Sequence, residues 1–191
     1  MERATLRKQL RAKRNSLSDV EQNLAAVDIA NLVASQPFFE QSKNIALYLA
    51  SDGEIIPEMI ADKIWQLGKT CFLPVLDSVD PKKMHFQRYT ADTLLSDNRF
   101  GIPEPVFNPN DVVPVEQLDL VLMPLTGFDE QGNRLGMGGG FYDRAFSFVK
   151  AGEKPWLIGL AHECQKMPKI PVEGWDVPML GVVTDRVFYR S

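Results

Sequence analysis

Four short apolar runs constrain this chain more than anything else in it: NIALYLA (44–50), TCFLPVL (70–76), LDLVLMP (118–124) and WLIGLAH (156–162). Consecutive apolar residues over so few positions read as strands buried on both faces, the condition of a parallel sheet covered by helices. LDLVLMP is predicted to be central, whereas MHFQRY (84–89) alternates with period 2 and reads as a half-buried strand. Helical signals lie around these runs. Residues 2–14 are good helix formers, 18–34 open on Ser18 with Glu21 three positions later as a capping box, and Pro57 starts a helix with Ile60, Ile64 and Leu67 on one face. The outcome is an α/β fold, a mainly parallel sheet flanked by helices, whose ligands are expected at the carboxyl ends of the strands.

Residues 1–191 are read as a single α/β domain with an N-terminal basic helix, without internal repeats or low-complexity tracts. The Pro-rich connector GIPEPVFNPNDVVPVEQ (101–117) is expected to be a functional loop and a candidate lid. With 45% hydrophobic and 24% charged residues the chain has the composition of an ordinary globular protein. Two cysteines, Cys71 and Cys164, are too few and too far apart for a disulfide framework or a structural zinc site, which fits a reducing, cytoplasmic compartment. MERATLRKQLRAKR lacks a secretory apolar core, and no run approaches the roughly 18 apolar residues of a membrane span, so no membrane partner is expected.

The net charge is −4, yet six of the 21 basic residues (Arg3, Arg7, Lys8, Arg11, Lys13, Arg14) fall in the first 14 positions. Arg3, Arg7 and Arg11, with Arg14 close to line, project from one helix face, a row able to grip a polyphosphate or simply to face solvent. The remainder is acidic, which argues against nucleic acid as a partner. His85 and His162 have no spacing that completes a metal site or a nucleophile pair, and they read as core or surface histidines.

MPLTGFDEQGNRLGMGGGFYDR (123–144) is the stretch richest in chemistry. It leaves the central strand, turns at Phe128–Asn133, and then offers Gly136, Gly138, Gly139 and Gly140 before a helix predicted from FYDRAFSFVK. Backbone N–H groups beside glycines cradle phosphate, Arg134 supplies a permanently charged fork, and Asp143 is a hard oxygen donor for Mg²⁺. A flexible loop and a helix-start aspartate are the plainer alternatives. The loop is neither a Walker sequence nor a G-x-G-x-x-G fingerprint.

GFDEQGNRLGMGGGFYDR, the basic helix, YLASDGE (48–54), FGIPEP (100–105) and GWDVP (174–178) together resemble the 5-formyltetrahydrofolate cyclo-ligases, also called 5,10-methenyltetrahydrofolate synthetases, over nearly the whole chain. The resemblance implies a fold related to sugar-phosphate isomerases and coenzyme A transferases. It also implies an ATP- and Mg²⁺-dependent cyclisation of 5-formyltetrahydrofolate to 5,10-methenyltetrahydrofolate, with release of ADP and phosphate. The γ-phosphoryl group would pass to the formyl oxygen, and substrate N10 would then close the ring.

By matching motif, Arg3, Arg7, Arg134, Leu135, Gly136, Met137, Gly138, Gly139, Gly140, Phe141 and Tyr142 would bind ATP, with Arg134 catalytic. Leu49, Glu54, Met137, Gly138, Gly139, Gly140 and Phe141 would face the folate, and Asp143 and Asp176 would hold Mg²⁺. The chain departs from some members in having Arg3 for Lys, Met137 for Arg, Gly139 for Lys, and Phe100 for a Trp expected against the pterin. Partners would be the small folate substrate and ATP, with the protein a monomer. The alternatives are a sugar-phosphate isomerase and a non-catalytic nucleotide- or folate-binding regulator.

Overall fold

The computed structural model describes residues 2–191. Helices α1 (Arg3–Asn15), α2 (Asp19–Ala34) and α3 (Pro37–Glu40) come first, followed by strand β1 (Asn44–Ala46), α4 (Glu58–Gln66), β2 (Thr70–Leu76) and β3 (Met84–Tyr89). Next are β4 (Leu95–Asp97), β5 (Pro103–Pro105), β6 (Val112–Val113), β7 (Leu120–Pro124), β8 (Gly127–Phe128) and β9 (Arg134–Leu135). The last elements are α5 (Phe141–Ala145), β10 (Trp156–Leu160), β11 (Gly181–Val183) and β12 (Phe188–Arg190).

Eight strands form one sheet in the order β12-β11-β10-β7-β1-β2-β3-β6. The five from β11 to β2 are mutually parallel. Antiparallel strands close both sides, β12 against β11 at one edge, and β3 against β2 with β6 against β3 at the other. The continuous apolar runs occupy the middle because only there are both faces covered. In β7, Leu120 and Leu122 pack with Ile29, Val33, Ile60 and Ile64 of α2 and α4, while Val121 and Met123 meet Phe86, Phe128, Phe146 and Val182 on the other face. Side chains two apart share a face, so one strand feeds two cores.

The capping box at α2 is formed: Ser18 N–H donates to Glu21 Oε2 at 2.8 Å, and Ser18 Oγ accepts from Glu21 N–H at 3.3 Å. Four local expectations differ from the structure. The helix after Pro57 ends at Gln66, and Leu67 lies at its C-cap with 62% of its surface exposed rather than on the buried face. NIALYLA is sheet-paired only over Asn44–Ala46, because the chain then leaves the sheet to build a loop. FYDRAFSFVK gives a helix of five residues only. The connector 101–117 is not structureless: Pro103–Pro105 pairs with β4, Val112–Val113 joins the large sheet, and two 3₁₀ turns lie at Pro109–Asp111 and Val115–Gln117.

β1 is flanked by β2 on one side and by β7 on the other, so the chain reverses its direction of travel across the sheet at β1. Such a switch point opens a crevice beyond the carboxyl ends of the two strands. α1 lies across that end, with Leu6 and Leu10 buried against Leu135 and Ile170.

Candidate active site

The crevice at the switch point is a cleft of about 840 Å³. Its floor comes from the residues following β1 (Tyr48 to Glu54) and from Met123 and Pro124 of β7. One wall is α1 with the glycine loop, and the facing wall is the turn between β4 and β5, carrying Phe100.

The structure brings together nearly every side chain or glycine singled out in the sequence. Arg3, Arg7, Leu49, Glu54, Arg134, Gly136, Met137, Gly138, Gly139, Gly140, Phe141, Tyr142, Asp143 and Asp176 all line this cleft. Leu135 does not: its side chain is fully buried beneath α1, and its carbonyl accepts from Thr126 N–H at 2.8 Å. It supports the loop from behind. Ile102–Glu104 of FGIPEP and Trp175 of GWDVP line the cleft as well, segments that the sequence marked without giving those residues a role, and Asn98 lines it with no sequence signal. Trp175, 69% exposed and adjacent to Asp176 in GWDVP, was the one a residue-type argument had a chance of finding, since an exposed Trp asks for a partner.

The basic row is a row of differently engaged cations. Arg3 donates Nη1 and Nη2 to the two oxygens of Asp176, at 3.0 and 3.4 Å, and Nη1 also to Pro171 O. Arg7 donates its Nε to Gly136 O at 2.8 Å and, among the described residues, pairs with no carboxylate. Arg7 packs over Gly138, whose φ of 103° is a backbone conformation that favours glycine. Arg11 reaches Asp52 at 2.6 Å at the rim. Arg14 is fully buried.

Arg134 is buried and spans Asp143 and the carbonyl of Val177. Burial lowers its pKa, with the charges of Asp143 and Asp176 opposing that shift. Asp143 Oδ1 also accepts from Val177 N–H at 3.2 Å. Its Oδ2 takes no hydrogen bond among the described residues and is solvent-accessible on the cleft side. For Asp176, burial pushes the carboxyl up, but hydrogen bonds from Arg3 and Glu173 N–H and the nearby charge of Arg134 hold it below the usual carboxylate range.

Glu54 sits on the floor, 7% exposed, with Oε2 accepting from Ser51 N–H at 3.1 Å. Burial raises its pKa, and Arg14 and Ser51 oppose that rise. Burial also raises Tyr48 and Tyr142, which therefore face the cleft as neutral phenols. The Phe100 ring stands edge-on to Phe141 at 6.4 Å, and Asn98 Oδ1 accepts from Phe100 N–H and Ile102 N–H to hold that turn.

The glycine loop differs from the expected helix-start cradle, because α5 is barely more than one turn long and has little dipole to offer. Its backbone donors and the adjacent arginine remain. The histidines lie outside the cleft lining: His162 is buried with Nε2 on Gly53 O at 3.2 Å, and His85 pairs with Asp77 at 2.7 Å. Among the described residues no group of three or more His, Cys, Asp or Glu forms a self-contained metal centre. No helix among them is long and apolar enough to cross a membrane.

A cleft with a cationic wall, a glycine loop and a buried carboxylate floor suits a polyphosphate beside a flat, hydrogen-bonding heterocycle. The family model described as the 5-formyltetrahydrofolate cyclo-ligase family matches residues 1–185. The 5-formyltetrahydrofolate cyclo-ligase of Haemophilus influenzae is 38% identical over 95% of this chain and 96% of its own length. That of Escherichia coli is 37% identical over 92% and 96% respectively. The solved 5,10-methenyltetrahydrofolate synthetase of Aquifex aeolicus superposes with a TM-score of 0.84 at 30% identity, covering 100% of this chain and 93% of that one. On matches this long, over a cleft built from the very motifs that carry the likeness, the chain belongs to the 5-formyltetrahydrofolate cyclo-ligase family and is an enzyme of the ligase class.

Proposed function

We propose that this enzyme cyclises 5-formyltetrahydrofolate to 5,10-methenyltetrahydrofolate at the expense of ATP, releasing ADP and phosphate, with Mg²⁺ as metal. The observation that carries this reading is Arg7, a cation without a carboxylate partner among the described residues, laid over Gly138 in a cleft whose floor holds Glu54. The first supplies a phosphate site, the second a site for the N–H groups of a pterin.

A formamide carbonyl is a poor electrophile. Transfer of the γ-phosphoryl group to its oxygen makes an activated imidoyl phosphate, which substrate N10 attacks, expelling phosphate as the ring closes. The protein positions the two substrates and offsets developing charge, as phosphoryl transfer requires. Arg3, Arg7 and the backbone of 136–142 hold the triphosphate, while Arg134 stabilises the transferring group. Leu49, Glu54 and the loop at 137–141 hold the folate, with Phe100 against the pterin. No enzyme nucleophile is needed.

The donor chemistry fits Mg²⁺, which keeps water ligands and is usually held by one or two carboxylates together with substrate phosphates. Asp143 Oδ2 is an available hard oxygen, whereas both oxygens of Asp176 are engaged by Arg3. Asp143 is therefore the principal ligand, and Asp176 joins it only by releasing Arg3. When bound, the metal neutralises phosphate charge. The cleft is complete within one chain, which supports a monomer working as one α/β domain.

The test is an absorbance assay for methenyl product with (6S)-5-formyltetrahydrofolate, ATP and Mg²⁺, and controls omitting each. Product in the complete mixture alone is expected; turnover without ATP, or none at all in folded protein, overturns the reading. Asp143→Asn is expected to cut turnover on the order of 100-fold while the protein stays folded. An unchanged rate at limiting Mg²⁺ removes the metal role.

A further inference from the structure

Of the two arginines of α1 that the reaction scheme leaves unused, Arg11 lies at the rim and Arg14 is fully buried. It donates Nε to Asp52 O at 2.7 Å, Nη2 to Asp52 Oδ2 at 2.8 Å, and Nη1 to Leu125 O at 3.1 Å. Its Nη2 lies 3.8 Å from Glu54 Oε1 and 3.9 Å from Met137 Sδ. One guanidinium thus touches the loop after β1, the end of β7 and the glycine loop from beneath the cleft.

The loop it grips is built around that grip. Asp52 adopts φ 51°, a left-handed conformation uncommon for a non-glycine residue, and accepts from Arg11 and Asn15 as well as Arg14. Gly53 follows so closely against α1 that a Cβ would sit 2.1 Å from Asn15 Oδ1, and its carbonyl meets His162 Nε2. The next residue is Glu54.

We infer that Arg14 is a positioning residue, which holds the Glu54 carboxylate ionised and aimed into the cleft for the folate. This rests on the folate-facing reading of Glu54 given above. A carboxylate this buried is driven toward its neutral acid, which offers one acceptor fewer to a pterin's adjacent N–H donors. Around Glu54 stand Arg14 and Arg11 from α1, Asp52 on its own loop, Tyr48 beyond β1 and Tyr142 of α5. The tyrosines are neutral, Asp52 disfavours ionisation, and Arg11 is spent on Asp52 at the rim. His162, on Gly53, is pushed toward its neutral form by burial. Ser51 helps with neutral donors, its N–H at 3.1 Å and its hydroxyl at 3.4 Å from Oε2, so the one cation left to favour the ionised state of Glu54 is Arg14.

The experiment is equilibrium binding of (6S)-5-formyltetrahydrofolate without ATP, from pH 5 to pH 9, to wild type, Glu54→Gln, Arg14→Gln and Arg14→Lys. Wild type loses affinity along an acid limb, and Glu54→Gln binds roughly tenfold more weakly with that limb absent. In Arg14→Gln the limb moves up by about one pH unit or more, and Arg14→Lys falls between it and wild type. If Arg14→Gln does not fold, Arg14→Lys decides by the same criterion. Weakened binding at every pH with the limb unmoved makes Arg14 a packing residue and overturns the inference. Wild-type binding by Glu54→Gln instead overturns the folate assignment of Glu54 and, with it, what was built on it.

Discussion

The two halves of α1 carry the same residue in pairs one helical turn apart, four residues in the first and three in the second, and they do opposite things. Arg3 and Arg7 stand on the wall of the cleft, one clasping Asp176 and the other holding only a glycine-loop carbonyl. Arg11 and Arg14 turn toward Asp52, and Arg14 disappears beneath the floor. Spacing along a helix sets which face a charge occupies; what lies opposite sets its role. Opposite Arg7 is a glycine loop that offers it one carbonyl and no acid. Opposite Arg14 is a loop with acid where the charge must be matched.

Replacing the two cations by methionine separates those roles most sharply. Arg14→Met is expected to lose about 3–5 kcal/mol in denaturant unfolding, because Asp52 and Glu54 lose their buried counter-charge. Arg7→Met is expected to remain within about 0.5 kcal/mol of wild type. Equal losses would erase the distinction between the halves. The converse appears in kinetics, where Arg7→Met raises KM for ATP roughly tenfold or more through the lost charge-assisted contact and leaves KM for folate near wild type.

A gentler probe of the inner half is pH. The hydrogen bond from Arg11 is the largest influence on Asp52; burial works against it, and Asn15 and Arg14 add to it, holding the carboxyl at about 2. A carboxyl depressed on folding stabilises fully above its unfolded value of about 3.9 and loses that contribution as pH falls through the folded value. Asp52→Asn should therefore melt below wild type at neutral pH, with the gap closing between about pH 4 and about pH 2. A gap constant with pH would mean that shape, not charge, makes the clasp. Of the inner pair, Arg11→Ala has the smaller effect, at about 1 kcal/mol or less, since Arg11 is 45% exposed and its ion pair is screened.

Much of this was legible in the chain, because the signals concerned were local. TCFLPVL and MHFQRY correspond residue for residue to β2 and β3, where apolar pattern and turn chemistry agree. Ser18 and Glu21 mark the start of α2 for the same reason. What sequence did not reveal depended on distant partners. Nothing in LRAKRN distinguishes Arg14 from its neighbours until Asp52 and Leu125 surround it. FYDRAFSFVK has helical spacing, yet Phe146 is drawn into the core against Phe86 and the helix stops. The turn at 98–102 is organised by the Asn98 side chain, a bond that no periodicity records. Within the site, the loop and the arm stood out by their chemistry, whereas FGIPEP and GWDVP were marked only by resemblance and Asn98 not at all, since walls are made by topology.

The large sheet ends on β6, two residues followed by Pro114, and on β12, three residues ending at Arg190. Strands of that length present almost no free backbone for another chain to pair with, and a proline or a charge at the margin discourages it further. The five parallel strands that pair slowly and expose the stickiest surface while folding are thus bordered by β12 on one side and on the other by the antiparallel β3, whose middle β6 covers. For a crowded solution that is a safeguard against aggregation, written into the shortest elements of the molecule.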